Sequence, residues 1–140
     1  MITSDKARGF IEIPHTADWA VRIWAPNFWD LLIQAGEAMY ALQMVKLDPT
    51  NPASTVKFSI QGDDQETSLV GFLSELLFQM DTNRLVLTNF TFHGGKSGLN
   101  VSSQAIRLLS QSKEIKAVTY SGLKVELTPR GLEATLVFDV

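Results

Sequence analysis

Apolar residues recur along this chain with two different periods, and the switches between them predict its main elements. Residues 10–13, Phe-Ile-Glu-Ile, read as a short strand and residues 19–24 as another, with His15-Thr16-Ala17-Asp18 as the turn between them. From Asn27 the spacing changes. Phe28, Leu31, Leu32, Ala35, Met39 and Leu42 fall three and four apart, Asn27 is a good N-cap, and Asp30 stands where a reciprocal cap would sit, so a helix is predicted over 28–43. Asp48-Pro49-Thr50-Asn51-Pro52 cannot continue it and reads as a loop.

Val56, Phe58 and Ile60 alternate with polar partners, the mark of a strand with one buried face. Leu69, Phe72, Leu73, Leu76, Leu77 and Met80 then predict a second amphipathic helix over 66–80, with carboxylates at its favourable N-terminal end. Residues 84–92 are rich in Val, Leu, Thr and Phe and read as a strand. His93-Gly94-Gly95-Lys96-Ser97-Gly98 reads as a turn with His93 an exposed loop residue. Residues 99–109 suit a strand, although Ile106, Leu108 and Leu109 would also suit a helix. Leu123, Val125 and Leu127 alternate up to Pro129-Arg130-Gly131, and Leu132, Ala134, Leu136, Phe138 and Val140 alternate back, which predicts a hairpin with Asp139 pointing away from the face that carries Phe138. Strands joined by short turns, with two helices interspersed, predict one α+β domain over 1–140, built on mostly antiparallel sheet.

Composition narrows the function classes. With 45% hydrophobic and 19% charged residues in 140, the chain is too apolar to be disordered and long enough for one real core. It has no cysteine, which excludes disulfides, thiolate zinc, Fe–S clusters and a cysteine nucleophile. Residues 1–8 are mixed in charge and lead into no apolar run, so no secretory signal is expected, no stretch reaches membrane-helix length, and the cytoplasm is the expected address. A net charge of −3 argues against strong direct nucleic-acid binding, because that affinity comes largely from Lys and Arg neutralising phosphates.

Few groups here can converge on one point. Asp18 begins a strand, Asp139 is penultimate, and Val140 carries the terminal carboxylate; if the last strand pairs beside the Asp18 strand, three anionic groups meet. Such groups repel unless a cation neutralises them, and oxygen ligands suit Ca²⁺ or Mg²⁺, Ca²⁺ tolerating the more irregular sets. The plainer alternatives are a turn aspartate at 18 bonding its own backbone, which spacing alone favours, and a solvated hairpin end at 139. His15 is a candidate ligand or general base, or else a ring packed on the turn and hydrogen-bonded there. No Gly-x-Ser-x-Gly elbow or phosphate-binding P-loop is present. Of the three tryptophans, Trp29 is expected to be the exposed one, marking a contact surface. Lys113, Lys116 and Lys124 form either a local anion or partner site or an ordinary solvated face.

Three segments in order, His15-Thr16-Ala17-Asp18, Glu114-Ile115-Lys116-Ala117-Val118-Thr119-Tyr120 and Val137-Phe138-Asp139-Val140, carry a resemblance over the full length. Together with Asp64-x-Glu66 ahead of a helix containing Ser74-Glu75-Leu76-Leu77, they resemble the archease family, the small activators of the RtcB-type tRNA-splicing RNA ligase. The resemblance implies a metal site on Asp18 and Asp139 with the Val140 carboxylate as a further ligand, Ca²⁺ ahead of Mg²⁺, no organic cofactor, and functional roles for Lys116 and His15. It also implies a protein that is not itself an enzyme but promotes guanylylation and repeated turnover of the ligase, its partner in tRNA splicing. Two departures from the family pattern stand out: Ser121 where a histidine usually follows Lys-Ala-Val-Thr-Tyr, and Trp19-Ala20 in place of aliphatic-Gly. The competing readings are a divergent metal-dependent phosphoester hydrolase using the same aspartates, and a non-catalytic interaction module.

Overall fold

The computed structural model describes residues 2–4, 7–13, 19–50, 53–95 and 98–140. In chain order its elements are β1 (Ile2–Ser4), β2 (Gly9–Ile13), β3 (Trp19–Ala25), α1 (Phe28–Leu42), β4 (Lys46–Leu47), β5 (Ser54–Ile60), α2 (Gln65–Asn83), β6 (Leu85–Gly95), β7 (Gly98–Ser110), β8 (Ala117–Thr119), β9 (Glu126–Thr128) and β10 (Gly131–Asp139). All described pairings are antiparallel, as expected for an α+β fold. One sheet runs β1-β2-β3-β10-β8 with β9 also on β10; in the other, β7 pairs with β4, β5 and β6. No helix among the described residues is long and apolar enough to cross a membrane.

Both helices begin where their capping residues dictate. The Asn27 side chain accepts the Asp30 N–H at 2.9 Å and returns a bond to the Asp30 carboxylate at 3.1 Å, which ties the first turn of α1. Asp64 accepts the Thr67 N–H at 2.7 Å, and that bond holds its carboxyl below the usual range. α2 runs past the expected end at residue 80. Asp81, Thr82 and Asn83 are polar, so the apolar period stops at Met80, while the hydrogen-bond ladder continues until Arg84 turns left-handed at φ 58°.

α1 packs on β3, β2 and β10, α2 packs on β6, β8, β5 and β7, and the helices meet each other. A Cβ at Gly36 would lie 3.0 Å from Leu76 Cδ1, so the missing side chain sets the approach of the two helices. The anticipated helix faces are buried: Leu31, Leu32, Ala35, Met39 and Leu42 on α1, and Leu69, Phe72, Leu73, Leu76, Leu77 and Met80 on α2.

One ambiguity resolves and two expectations need correction. Residues 99–109, ambiguous by pattern, are strand within β7, because the segment is paired to β5 and β6 and its alternate residues Leu99, Val101, Ser103 and Ala105 are buried. His93 is not a loop residue. It lies in β6 opposite Asn100, exposed on the sheet, while Lys96 and Ser97 fall outside the described residues. The C-terminal hairpin is also shorter than its alternation suggests, with only Glu126, Leu127 and Thr128 pairing to β10. The Val125 N–H is taken by the Glu66 carboxylate at 2.7 Å and the Leu123 N–H by Tyr120 O at 3.1 Å, so neither joins the ladder.

β6 carries a bulge between Thr88 and Thr91 with Asn89 left-handed at φ 52°, a conformation asparagine tolerates. Beside it, the buried Leu87 N–H donates to Tyr40 Oη at 3.0 Å, and burial pushes the Tyr40 phenol well above its ordinary value. Tyr40→Phe strands that N–H in the interior and should cost about 1–3 kcal/mol in urea unfolding. A change below about 0.5 kcal/mol would mean that the amide finds another partner.

Candidate functional site

The expected site depends on where the last strand lies. β10 pairs with β3 from Leu132↔Ala25 to Phe138↔Trp19, so the end of the chain lies at the N-terminal end of β3. On its other flank β10 pairs with β8: Val137↔Thr119, Phe138↔Val118 and Asp139↔Ala117. The Lys116 N–H donates to Asp139 O at 2.8 Å, closing this corner of the sheet.

Alternation along β10 sorts the side chains. Leu136 and Phe138 are fully buried in the core while Asp139, at the end of β10, is exposed, as the period-two pattern requires; Val140, beyond the strand, is exposed too. Lys116 is exposed, and the residue before it, Ile115, is fully buried. Trp19, immediately after Asp18 in the sequence, is half-buried, and the Lys113 ammonium sits 4.7 Å from the centre of its ring, a cation–π contact. Lys113 and Lys116 therefore belong to one corner. Lys124 is exposed and its ammonium is paired with Glu126 at 3.8 Å. Burial and then the Glu114 carboxylate push the Asp81 carboxyl up.

Of the sequence candidates, the structure thus brings Lys116 and Asp139 together through their backbones, with Val140 next in the chain. His15 and Asp18 lie outside the described residues. No group of three or more His, Asp or Glu side chains arranged to hold a metal is present among the described residues. The described side-chain donor at this corner, the exposed Asp139 carboxylate, is a hard oxygen ligand of the type Ca²⁺ and Mg²⁺ accept. Trp29 is 43% exposed, as expected, and stacks at 5.3 Å and 10° on Phe92.

Two participants carried no signal in the pattern. The Trp19 ring, at the start of β3, holds the Lys113 ammonium, and the buried Gln43 side chain accepts the Ile115 N–H at 2.9 Å. Both contacts join residues far apart in sequence. Gln43 reads locally as one more polar residue at a helix end.

Comparison with known proteins agrees with this architecture. The archease protein family matches residues 10–140. A protein archease from Methanopyrus kandleri is 30% identical, with 92% of this chain and 97% of the relative covered. A protein archease-like from Drosophila melanogaster is 26% identical, covering 91% and 88%. Among solved structures, the crystal structure of an archease from Thermotoga maritima has a TM-score of 0.73 at 21% identity, covering 91% of this chain and 94% of that one. The solution structure of Methanobacterium thermoautotrophicum protein 1598 has a TM-score of 0.70 at 20% identity, covering 97% and 100%. These last two show the shared fold. With the family matched from the second strand to the last residue, this chain belongs to the archease family.

Proposed function

We propose that this protein is a cytoplasmic accessory factor of an RtcB-type RNA ligase in tRNA splicing, not an enzyme in its own right. It promotes guanylylation of the ligase and repeated turnover, and its partner is the ligase protein rather than the RNA. Asp18, Asp139 and the Val140 carboxylate hold a divalent cation, Ca²⁺ in preference to Mg²⁺, and Lys116 and His15 serve as functional residues toward the partner. One observation carries this reading: β10 is registered between β3 and β8 so that Asp139 is bonded to the Lys116 backbone and Phe138 lies opposite Trp19.

The chemistry follows from charge. A cation bound by the carboxylates supplies positive potential where phosphate oxygens gain charge in nucleotidyl transfer. Asp139 provides oxygen from a strand held on both sides, so its position costs little reorganisation. The Lys116 ammonium, on the residue bonded to Asp139, adds a second positive group for the same phosphate oxygens. An acidic protein presenting so local a positive site is suited to docking on a ligase rather than coating RNA.

The test is multiple-turnover RNA ligation by the cognate ligase with and without this protein. Asp139→Ala and Lys116→Ala should each cut the stimulated rate about ten-fold or more while leaving the melting curve within a few degrees of wild type. Full stimulation by both variants would remove the site proposed on Asp139 and Lys116, and no stimulation by the wild-type protein would remove the ligase reading. Cation-dependent phosphoester hydrolysis without ligase, abolished by Asp139→Ala, would favour a hydrolase instead.

A further inference from the structure

The geometry points to Gln43 as a positioning residue that holds Lys116 against the end of β10. The inference deepens the function proposed above, and its activity arm rests on that reading. Gln43 caps the C-terminus of α1 and is completely buried, a rare place for an amide unless every polar atom is used. Its Nε2 donates to Met39 O at 3.1 Å. Its Oε1 accepts the Ile115 N–H at 2.9 Å and Gln111 Nε2 at 3.4 Å. Its own carbonyl accepts the Ser112 N–H at 3.0 Å and the Lys113 N–H at 3.4 Å.

One residue therefore grips Gln111, Ser112, Lys113 and Ile115 together. That segment has no helix or strand of its own before β8 starts at Ala117, so no backbone ladder shapes it. The buried Ile115 side chain sets how deep the segment sits, but apolar contacts are non-directional and leave its rotation free. The hydrogen bond from the Ile115 N–H is directional. It fixes the peptide plane one residue before Lys116, whose own N–H then meets Asp139 O at 2.8 Å. Gln43 thus sets the path by which Lys116 leaves the core, and the same grip fixes the backbone of Lys113 beneath the Trp19 ring.

Two variants test this: Gln43→Leu, which fills the volume without polar atoms, and Gln43→Glu, which keeps an oxygen for the Ile115 N–H. Amide hydrogen exchange is read at Ile115 and Lys116 against Val101 and Ala105 in β7, at a temperature where circular dichroism shows each protein folded. In Gln43→Leu, Ile115 and Lys116 should lose about ten-fold or more protection while Val101 and Ala105 hold theirs, and ligase stimulation should fall by a similar factor. Gln43→Glu should recover part of both. Unchanged exchange at Ile115 and Lys116, or equal loss at all four amides, overturns the inference. Asp139→Ala in the same ligation assay separates the two claims. If it stimulates like wild type, the role proposed for Asp139 fails and the exchange pattern still decides the role of Gln43; if the wild-type protein itself gives no stimulation, the ligase reading fails. If Asp139→Ala loses the stimulation that wild type gives, and Gln43→Leu stimulates fully, the positioning claim alone fails.

Discussion

Truncating Phe72 to alanine should lower the unfolding free energy by about 3–5 kcal/mol, the loss expected when a fully buried aromatic leaves a cavity its neighbours cannot close. Phe72 is fully buried on α2, and its ring meets Phe90 edge-on at 5.0 Å, Phe92 at 5.8 Å and Phe58 at 6.2 Å. Those three rings belong to β5 and β6, on the sheet that α2 covers. On the other side a Cβ at Gly36 would come within 3.6 Å of the same ring, so α1 rests against it as well. One side chain therefore joins both helices to the second sheet. The glycine and the paired strands hold the walls of the cavity in place, which is the condition for a cost at the upper end of the range. Urea unfolding of Phe72→Ala and Phe72→Leu measures it, with leucine recovering a large part of the loss; a cost below about 1 kcal/mol would mean that the walls collapse into the space.

The second large effect concerns Glu133, a carboxylate on β10 whose side chain is only 6% exposed. Arg130 Nε donates to Oε1 at 2.9 Å and its Nη2 to Oε2 at 3.2 Å, Thr128 donates to Oε1 at 2.7 Å, and Arg22 Nε donates to Oε2 at 2.7 Å. The Arg130 bonds are the chief cause of a pKa held down to about 2 from an ordinary 4.5; burial opposes them, and Thr128 and Arg22 assist. A carboxyl whose folded pKa is depressed adds stability above its unfolded pKa, and that stability is lost as pH falls through the folded value. The contribution is therefore complete at pH 7 and declines from about pH 4.5 toward pH 2. Arg22 and Arg130 are 37% and 46% exposed, so solvent screening reduces the shift to about 1–3 kcal/mol of stability at neutral pH. Glu133→Gln should lose that amount at pH 7 in urea unfolding, and the gap from wild type should narrow toward pH 2–3. A gap that stays constant between pH 7 and pH 2.5 would show that the charge contributes nothing and only the shape of the side chain matters.

This cluster also shows how far reading along the chain reaches. Arg22, Thr128, Arg130, Glu133 and Thr135 look like scattered polar positions on β3, β9, β10 and the turn between the last two, and only the pairings Glu133↔Trp24 and Glu133↔Glu126 set them side by side. The turn beneath them was legible: Gly131 adopts φ 107°, and a Cβ there would lie 2.5 Å from Ala25 O, so glycine is required. The length of the hairpin was not, because the Val125 N–H leaves the ladder for Glu66 on another element.

For the candidate site the division is similar. Asp139 and Lys116 stand out by motif, and alternation alone puts Asp139 opposite in facing to Phe138. Gln43 and the Lys113–Trp19 contact do not stand out, since each depends on a partner that chain order does not indicate.

Amphipathic period and capping residues were enough to locate α1 and α2, the buried face of β5 and the orientation of β10, because each expresses a preference shared among neighbours a few residues apart. The placing of Phe138 across from Trp19, the shared clamp on Glu133 and the grip of Gln43 on a segment 72 residues away arose only on folding. Those contacts come from strand register and from the demand that every buried polar atom find a partner, and neither leaves a mark on adjacent residues.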